Sequence, residues 1–156
     1  MEPNEFADAR SERDSPRLRR LGRSIGAVLA GIVAGVALTI GTDLVMHATR
    51  IFPPFGQPMS DGLFLLATVY RTVFSILAGY LVARLSPDRP MAHALVSGVI
   101  GFAVCVIGAV AMWNSDLGPH WYPLALVALA LPCAWAGGKL RVMQLSAAIA
   151  GVGSVP

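Results

Sequence analysis

Long apolar stretches alternate with short polar connections along the chain. Four stretches reach the ~20 residues that a helix needs to cross the hydrocarbon core of a bilayer, and they cover about 25–46, 63–83, 92–113 and 121–138. Serine, aspartate and proline, which favour helix starts, lie in the connections between them. The pattern predicts an all-α fold in which residues 21–141 form an integral membrane four-helix bundle.

The segments outside this bundle contain no apolar run long enough to span a bilayer. Residues 1–20 mix charge, proline and serine and have little apolar surface to bury, so we expect a disordered tail that carries a basic collar. Residues 142–156 are mildly apolar and are expected to form a second tail. The first apolar stretch is too long for a signal peptide and no cleavage site follows it, so we interpret it as a membrane helix.

Composition supports membrane insertion and argues against a nucleic-acid partner. Hydrophobic residues make up 55% of the chain and charged residues 13%, with a mean hydropathy of +0.64. A soluble domain is usually about 25% charged, so this chain has too little polar surface to cover a water-soluble globule. The net charge of +3 comes largely from arginines beside the first apolar stretch, which is typical of a membrane flank. The lipid bilayer is the partner that composition implies.

The distribution of lysine and arginine predicts the orientation. Ten of these residues precede the first helix, connect the second to the third, or follow the fourth, whereas Arg50 is alone in the other two connections. Positive connections stay in the cytoplasm, so we predict an N-in/C-in arrangement with both tails cytoplasmic. Trp113, Trp121 and Tyr122 would then lie together at the outer interface, where aromatic belts form.

One polar cluster lies inside the apolar segments. Arg71 is near the middle of the second segment, where an arginine costs about 2.5–3.5 kcal/mol on insertion scales. Asp43 is the only carboxylate within the four segments and is expected to pair with Arg71. Thr39 and Thr68 are expected as further hydrogen-bond partners, and His47 follows Asp43 by one helical turn.

This cluster has three interpretations. A structural ion pair would fix helices one and two in register. A functional site would use Asp43, His47 and Arg71 as a proton or anion pathway. In the third interpretation the pair does not form, and Arg71 faces an oligomer interface or a lipid headgroup.

Small residues predict where helices approach closely. Gly31 and Gly35 form a Gly-x-x-x-Gly pattern, which indicates either close packing within the chain or a homodimer face. A further close-packing edge on the fourth helix consists of Ala130, Ala134 and Gly138.

The remaining candidate chemistry is weak. Cys105 and Cys133 lie inside apolar segments and are interpreted as buried small hydrophobic residues. The three histidines have no metal-ligand spacing, and no phosphate-binding loop or serine elbow is present. We therefore expect no catalytic residue, metal or cofactor. The collar either sets orientation or binds anionic lipid headgroups, and its residues are Arg17, Arg19, Arg20 and Arg23.

Six short motifs carry a family resemblance over the stretch from Asp43 to Arg141. They are Phe-Pro-Pro (52–54), Gly-Gln-Pro-Met-Ser-Asp (56–61), Tyr-Arg-Thr (70–72), Gly-Tyr-Leu-Val-Ala-Arg-Leu (79–85), Arg-Pro-Met-Ala-His-Ala-Leu (89–95) and Pro-His-Trp-Tyr-Pro-Leu-Ala-Leu (119–126). The stretch resembles uncharacterised small four-helix bacterial membrane proteins. The resemblance implies a multi-pass protein of the bacterial cytoplasmic (inner) membrane, and it implies no activity.

Three functional hypotheses follow. The first is a non-catalytic accessory membrane protein that supports or regulates a partner complex or organises the envelope. The alternative is a small transporter or channel that builds its pathway by oligomerising and uses the Asp43 and Arg71 cluster. A membrane enzyme is the third.

Overall fold

A computed structural model of the chain describes residues 3–115 and 118–152, and within these ranges the fold contains helices and no strand. Side chains are described from Arg19 onward, apart from Arg20 and Val152 within the helices. The helices are α1 (Pro3–Ala48), α2 (Asp61–Leu85), α3 (Pro90–Ala111) and α4 (Trp121–Val152). Each of the four contains a stretch long and apolar enough to cross a membrane. The predicted all-α fold with four such helices is confirmed.

The amino-terminal tail differs from the prediction. The backbone is helical from Pro3 and continues without a break into the apolar part of α1, where the sequence predicted a disordered tail over residues 1–20. Glutamate, alanine and arginine are frequent in this segment and have good helix propensity. Extending a helix that already exists avoids the cost of nucleation. Residues 1–2 lie outside the described residues.

The carboxyl-terminal end also differs, because α4 continues to Val152 instead of ending near Gly138. A glycine often ends a helix, but Gly137 and Gly138 are packed against neighbouring helices and remain helical. The residues that follow include leucine, arginine, methionine, glutamine and alanine, which are good helix formers. The predicted tail over 142–156 is therefore helical as far as it is described.

The helices pack unequally. α4 packs along both α2 and α3, and α2 also contacts α3. α1 lies against α2 and touches α3, but it makes no contact with α4 in the described chain. α2, α3 and α4 thus form a three-helix core, to which α1 is attached mainly through α2.

The contact between α1 and α2 uses the predicted glycine pattern. Gly31 lies against the side chain of Val82, and a Cβ added to it would lie 2.9 Å from the carbonyl oxygen of Ala78. A Cβ at Gly35 would lie 3.1 Å from the Ala78 Cβ. The expectation that this pattern packs within the chain is confirmed. Helices that meet at glycine approach closely because no side chain separates their backbones.

α4 also packs closely against α2 and α3. Gly137 lies against the carbonyl oxygen of Ile76, and a Cβ added to it would lie 2.6 Å from the Tyr80 backbone nitrogen. A Cβ at Gly79 would lie 3.1 Å from the Ala134 backbone, so α2 and α4 touch backbone to backbone. On the α3 side, a Cβ at Gly98 would lie 2.5 Å from the Ala134 Cβ. The predicted edge on α4 is confirmed at Ala134, which packs against both partner helices.

Replacement of Gly137 by alanine should separate α2 from α4. The added Cβ would meet backbone atoms, which cannot rotate away, and overpacking of this kind costs about 1–3 kcal/mol. We expect the Gly137→Ala protein to melt at a lower temperature in detergent, measured by the loss of monodisperse protein on heating. Gly41→Ala is the matched control, since a Cβ there has no neighbour within 4 Å. Equal melting temperatures for the two variants would contradict the described contact.

Candidate functional site

An ion pair joins α1 to α2 inside the apolar part of the bundle. The Arg71 Nη2 donates a hydrogen bond to Asp43 Oδ2 over 2.6 Å. The two side chains are 29% and 24% exposed, so each is largely covered by protein. The structure therefore brings together the two residues that the sequence predicted as partners.

A tyrosine completes the pair. The Tyr70 hydroxyl donates a hydrogen bond to Asp43 Oδ1, the carboxylate oxygen that Arg71 leaves free. Both oxygens of the carboxylate thus have a donor on α2. Sequence reasoning did not identify Tyr70. The available signal was its position next to Arg71, because neighbouring residues on a helix differ by ~100° in direction and both can face the same partner helix.

α4 reaches the pair through Tyr122. The centre of its ring lies 5.9 Å from the Arg71 Cζ, at the outer limit for a cation–π contact. The same ring packs on Phe64 of α2, with ring centres 4.8 Å apart. The sequence analysis expected Tyr122 only as an aromatic residue at the membrane interface. Nothing in its position along the sequence predicts that it contacts Arg71.

The two predicted threonine partners do not join the pair. Thr68 is buried and its hydroxyl donates to the Phe64 carbonyl oxygen one turn earlier, over 2.9 Å. In the described part of the chain, Thr39 makes no hydrogen bond to Asp43 or Arg71. The structure therefore does not bring these threonines to the pair. For Thr68 the reason is that a helical threonine reaches the carbonyl oxygen of its own helix more easily than a neighbouring helix.

His47 does not contact the carboxylate either. Its Nδ1 donates to the main-chain carbonyl oxygen of Asp43 over 2.8 Å. Its ring stacks on Phe55 at 3.9 Å between ring centres and meets the buried Phe52 edge to face at 5.5 Å. His47 therefore anchors the connection between α1 and α2. In the described structure its side chain contacts neither the Asp43 carboxylate nor the Arg71 guanidinium, so no contact supports its predicted place in a pathway with them.

Arg71 lines two cavities at once. The first has a volume of about 360 Å³, lies between all four helices and extends towards the α2–α3 connection as far as Val82. The second has a volume of about 430 Å³ and extends towards the α3–α4 connection as far as Trp113 and His120. The residues common to both linings are Arg71, Val104, Cys105 and Leu126. They form a septum between the cavities, and Arg71 is its charged member.

The other predicted site, the arginine collar, lies on α1 around the beginning of its apolar part. Arg19 and Arg23 are exposed, as a group that meets lipid headgroups must be. Arg17 and Arg20 belong to the α1 backbone, but their side chains lie outside those described. Headgroup binding by this collar stays a prediction.

The described residues contain no group of three or more His, Cys, Asp or Glu side chains arranged to hold a metal ion. Cys105 and Cys133 are both free thiols, and Cys133 is buried in the core.

No family model, curated protein or solved structure matches this chain. The resemblance to small bacterial four-helix membrane proteins therefore stays a prediction, and any function has to be argued from the site itself.

Proposed function

We propose that the protein is a multi-pass protein of the bacterial cytoplasmic (inner) membrane with its amino and carboxyl ends in the cytoplasm. Four helices long and apolar enough to span support insertion. The excess of lysine and arginine at one end supports the orientation. Trp113 and Trp121, 45% and 38% exposed at the opposite end, suit an outer aromatic belt.

The orientation predicts which positions a membrane-impermeant thiol reagent reaches. In a variant with Cys105 and Cys133 replaced by alanine, we expect Gln57→Cys in the α1–α2 connection to label in intact spheroplasts. Ser146→Cys near the end of α4 should label only after the membrane is opened, since it would face the cytoplasm. Both positions are exposed in the structure, so access alone does not separate them. The opposite labelling pattern would contradict the proposed orientation.

We further propose that the protein acts without catalysis, as an accessory that supports or regulates a partner membrane complex or organises the envelope. The observation that carries this proposal is the contact of both Asp43 carboxylate oxygens with α2, where they accept from Tyr70 and Arg71. A carboxylate held in this way braces α1 on α2, which is a structural role. The exposed arginines of the collar support a contact with anionic lipid.

A small transporter or channel is the second candidate. The observation in its favour is the position of Arg71 between two cavities that extend towards opposite ends of the bundle. Polar residues inside a membrane segment commonly mark an ion or proton path. In this candidate function, oligomerisation widens the path that Arg71 interrupts.

The accessory function predicts that the charge of the pair is dispensable once the fold is kept. We expect a strain that lacks the protein to be restored equally by the wild-type chain and by a chain carrying both Asp43→Leu and Arg71→Leu. Removing both charges leaves no unpaired charge in the membrane, so the double variant should fold. The readout is growth under envelope stress together with the abundance of membrane complexes.

The same double variant separates the two candidate functions. Transport replaces the accessory function if two results are obtained together. The double variant folds and inserts normally but does not restore the strain, and reconstituted wild-type protein moves an anion or proton that the double variant does not move. Arg84→Gln serves as the matched control for loss of one arginine from α2, because Arg84 is exposed at the end of the helix.

A further inference from the structure

Arg71 has hydrogen-bonding capacity that the protein does not use. Its Nη2 is taken by Asp43, but its Nε is buried and has no acceptor among the described residues. An arginine carries five N–H donors. The side chain is 29% exposed, and Arg71 lines both cavities. Part of the side chain, other than the buried Nε, is therefore open to a small ligand that enters either cavity.

The surroundings of Arg71 contain hydroxyl groups that can donate hydrogen bonds to a ligand. Thr39 and Ser75 line the first cavity, Tyr122 lines the second, and within the described chain none of the three hydroxyls donates to a protein acceptor. The nearest strong acceptor is Asp43, which Arg71 and Tyr70 already hold. Because Arg71 can only donate hydrogen bonds and the three hydroxyls can donate as well, an anion, which supplies acceptors and a negative charge, is the ligand that suits this place.

The size of the cavities suits a small anion. A water molecule occupies about 30 Å³ of liquid volume, so cavities of about 360 and 430 Å³ accept a small anion together with several waters. Aromatic and aliphatic side chains form most of the second lining, including Phe64, Trp113 and Leu126. Such a lining disfavours weakly hydrated anions less than strongly hydrated ones.

Charge balance sets the condition for binding. Arg71 and Asp43 together are neutral, and an added anion would leave one negative charge in a poorly solvated place, which is costly. Neutrality returns when the Asp43 carboxylate takes up one proton and becomes a carboxylic acid, while Arg71 stays protonated and pairs with the anion. The other titratable groups near the pair are Tyr70 on α2, Cys105 on α3, Tyr122 on α4, His47 on α1 and His120 in the lining of the second cavity. Asp43 is the only one of them that pairs with the Arg71 guanidinium among the described residues, so a proton on Asp43 is the one that releases Arg71 to the anion.

We propose that Arg71 is a binding site for a small monovalent anion and that Asp43 takes up one proton when the anion binds. The site adds to the accessory function and does not depend on it. Occupation by anion and proton breaks the ion pair between α1 and α2. Because α1 is attached to the other helices mainly through α2, this helix is the one that binding loosens.

Nitrate is a suitable probe for the purified full-length protein in detergent. We expect calorimetric titration with sodium nitrate to show binding, and an unbuffered sample with a pH indicator to show about one proton taken up per nitrate bound. Linkage then requires the nitrate affinity to fall as the pH rises. Nitrate binding with no proton uptake by the wild-type protein would overturn the proposal.

Two substitutions separate the roles of the pair. Asp43→Asn imitates the protonated acid, so it should bind nitrate with no proton uptake and with an affinity independent of pH. Arg71→Gln should lose nitrate binding, whereas Arg84→Gln, exposed on the same helix and outside both cavities, should behave as wild type. If Arg71→Gln does not fold, Asp43→Asn decides the question alone. An Asp43→Asn protein that folds and does not bind nitrate shows that the pair is a brace with no ligand.

Discussion

The ion pair between Asp43 and Arg71 is the interaction on which the position of α1 depends. An arginine near the middle of an apolar helix is costly in a bilayer unless a partner satisfies it, and α1 supplies that partner. Tyr70 engages the second carboxylate oxygen, so α2 holds Asp43 at both oxygens. These polar contacts add to the glycine contact at Gly31, which is less tolerant of a side chain than Gly35. α1 thus has two kinds of attachment to the same helix.

Close backbone packing holds the rest of the bundle. α4 meets α2 at Gly79 and Gly137 and meets α3 at Gly98, so the three core helices touch where side chains are smallest. In lipid, where apolar side chains gain little by leaving one apolar surface for another, such van der Waals contact is a main source of helix association. α1 does not share this core, and its separation from α4 leaves the space in which the first cavity lies.

The amino-acid sequence predicts the fold better than the site. Four apolar runs define four helices because a bilayer requires about 20 apolar residues per crossing, and the scarcity of charges within them leaves Asp43 as the evident partner for Arg71. Helix ends were harder to predict, since α1 and α4 continue into segments whose composition permits helix without requiring it. Whether these segments are helical depends on the helix that precedes them, because extending an existing helix avoids the cost of nucleation. The local pattern of residues does not contain this information.

The finer geometry of the site depends on side-chain directions that spacing does not determine. Thr68 bonds to its own helix, His47 turns to Phe52 and Phe55, and Tyr122 reaches Arg71 from α4. Each contact depends on rotamers and on helix rotation, which become known only when all four helices are in place. The septum around Arg71 could not be predicted for the same reason, because residues from α2, α3 and α4 all contribute to it.

A double-mutant cycle on unfolding in detergent tests the central claim, that Asp43 and Arg71 hold each other as an ion pair. Loss of one partner leaves the other charge buried and unpaired, which costs about 3 kcal/mol or more, so Asp43→Leu and Arg71→Leu should each lower the free energy of unfolding strongly. We predict that the double variant recovers most of that loss. Two single effects that simply add in the double variant would contradict the account, because additive effects mean that the residues do not interact.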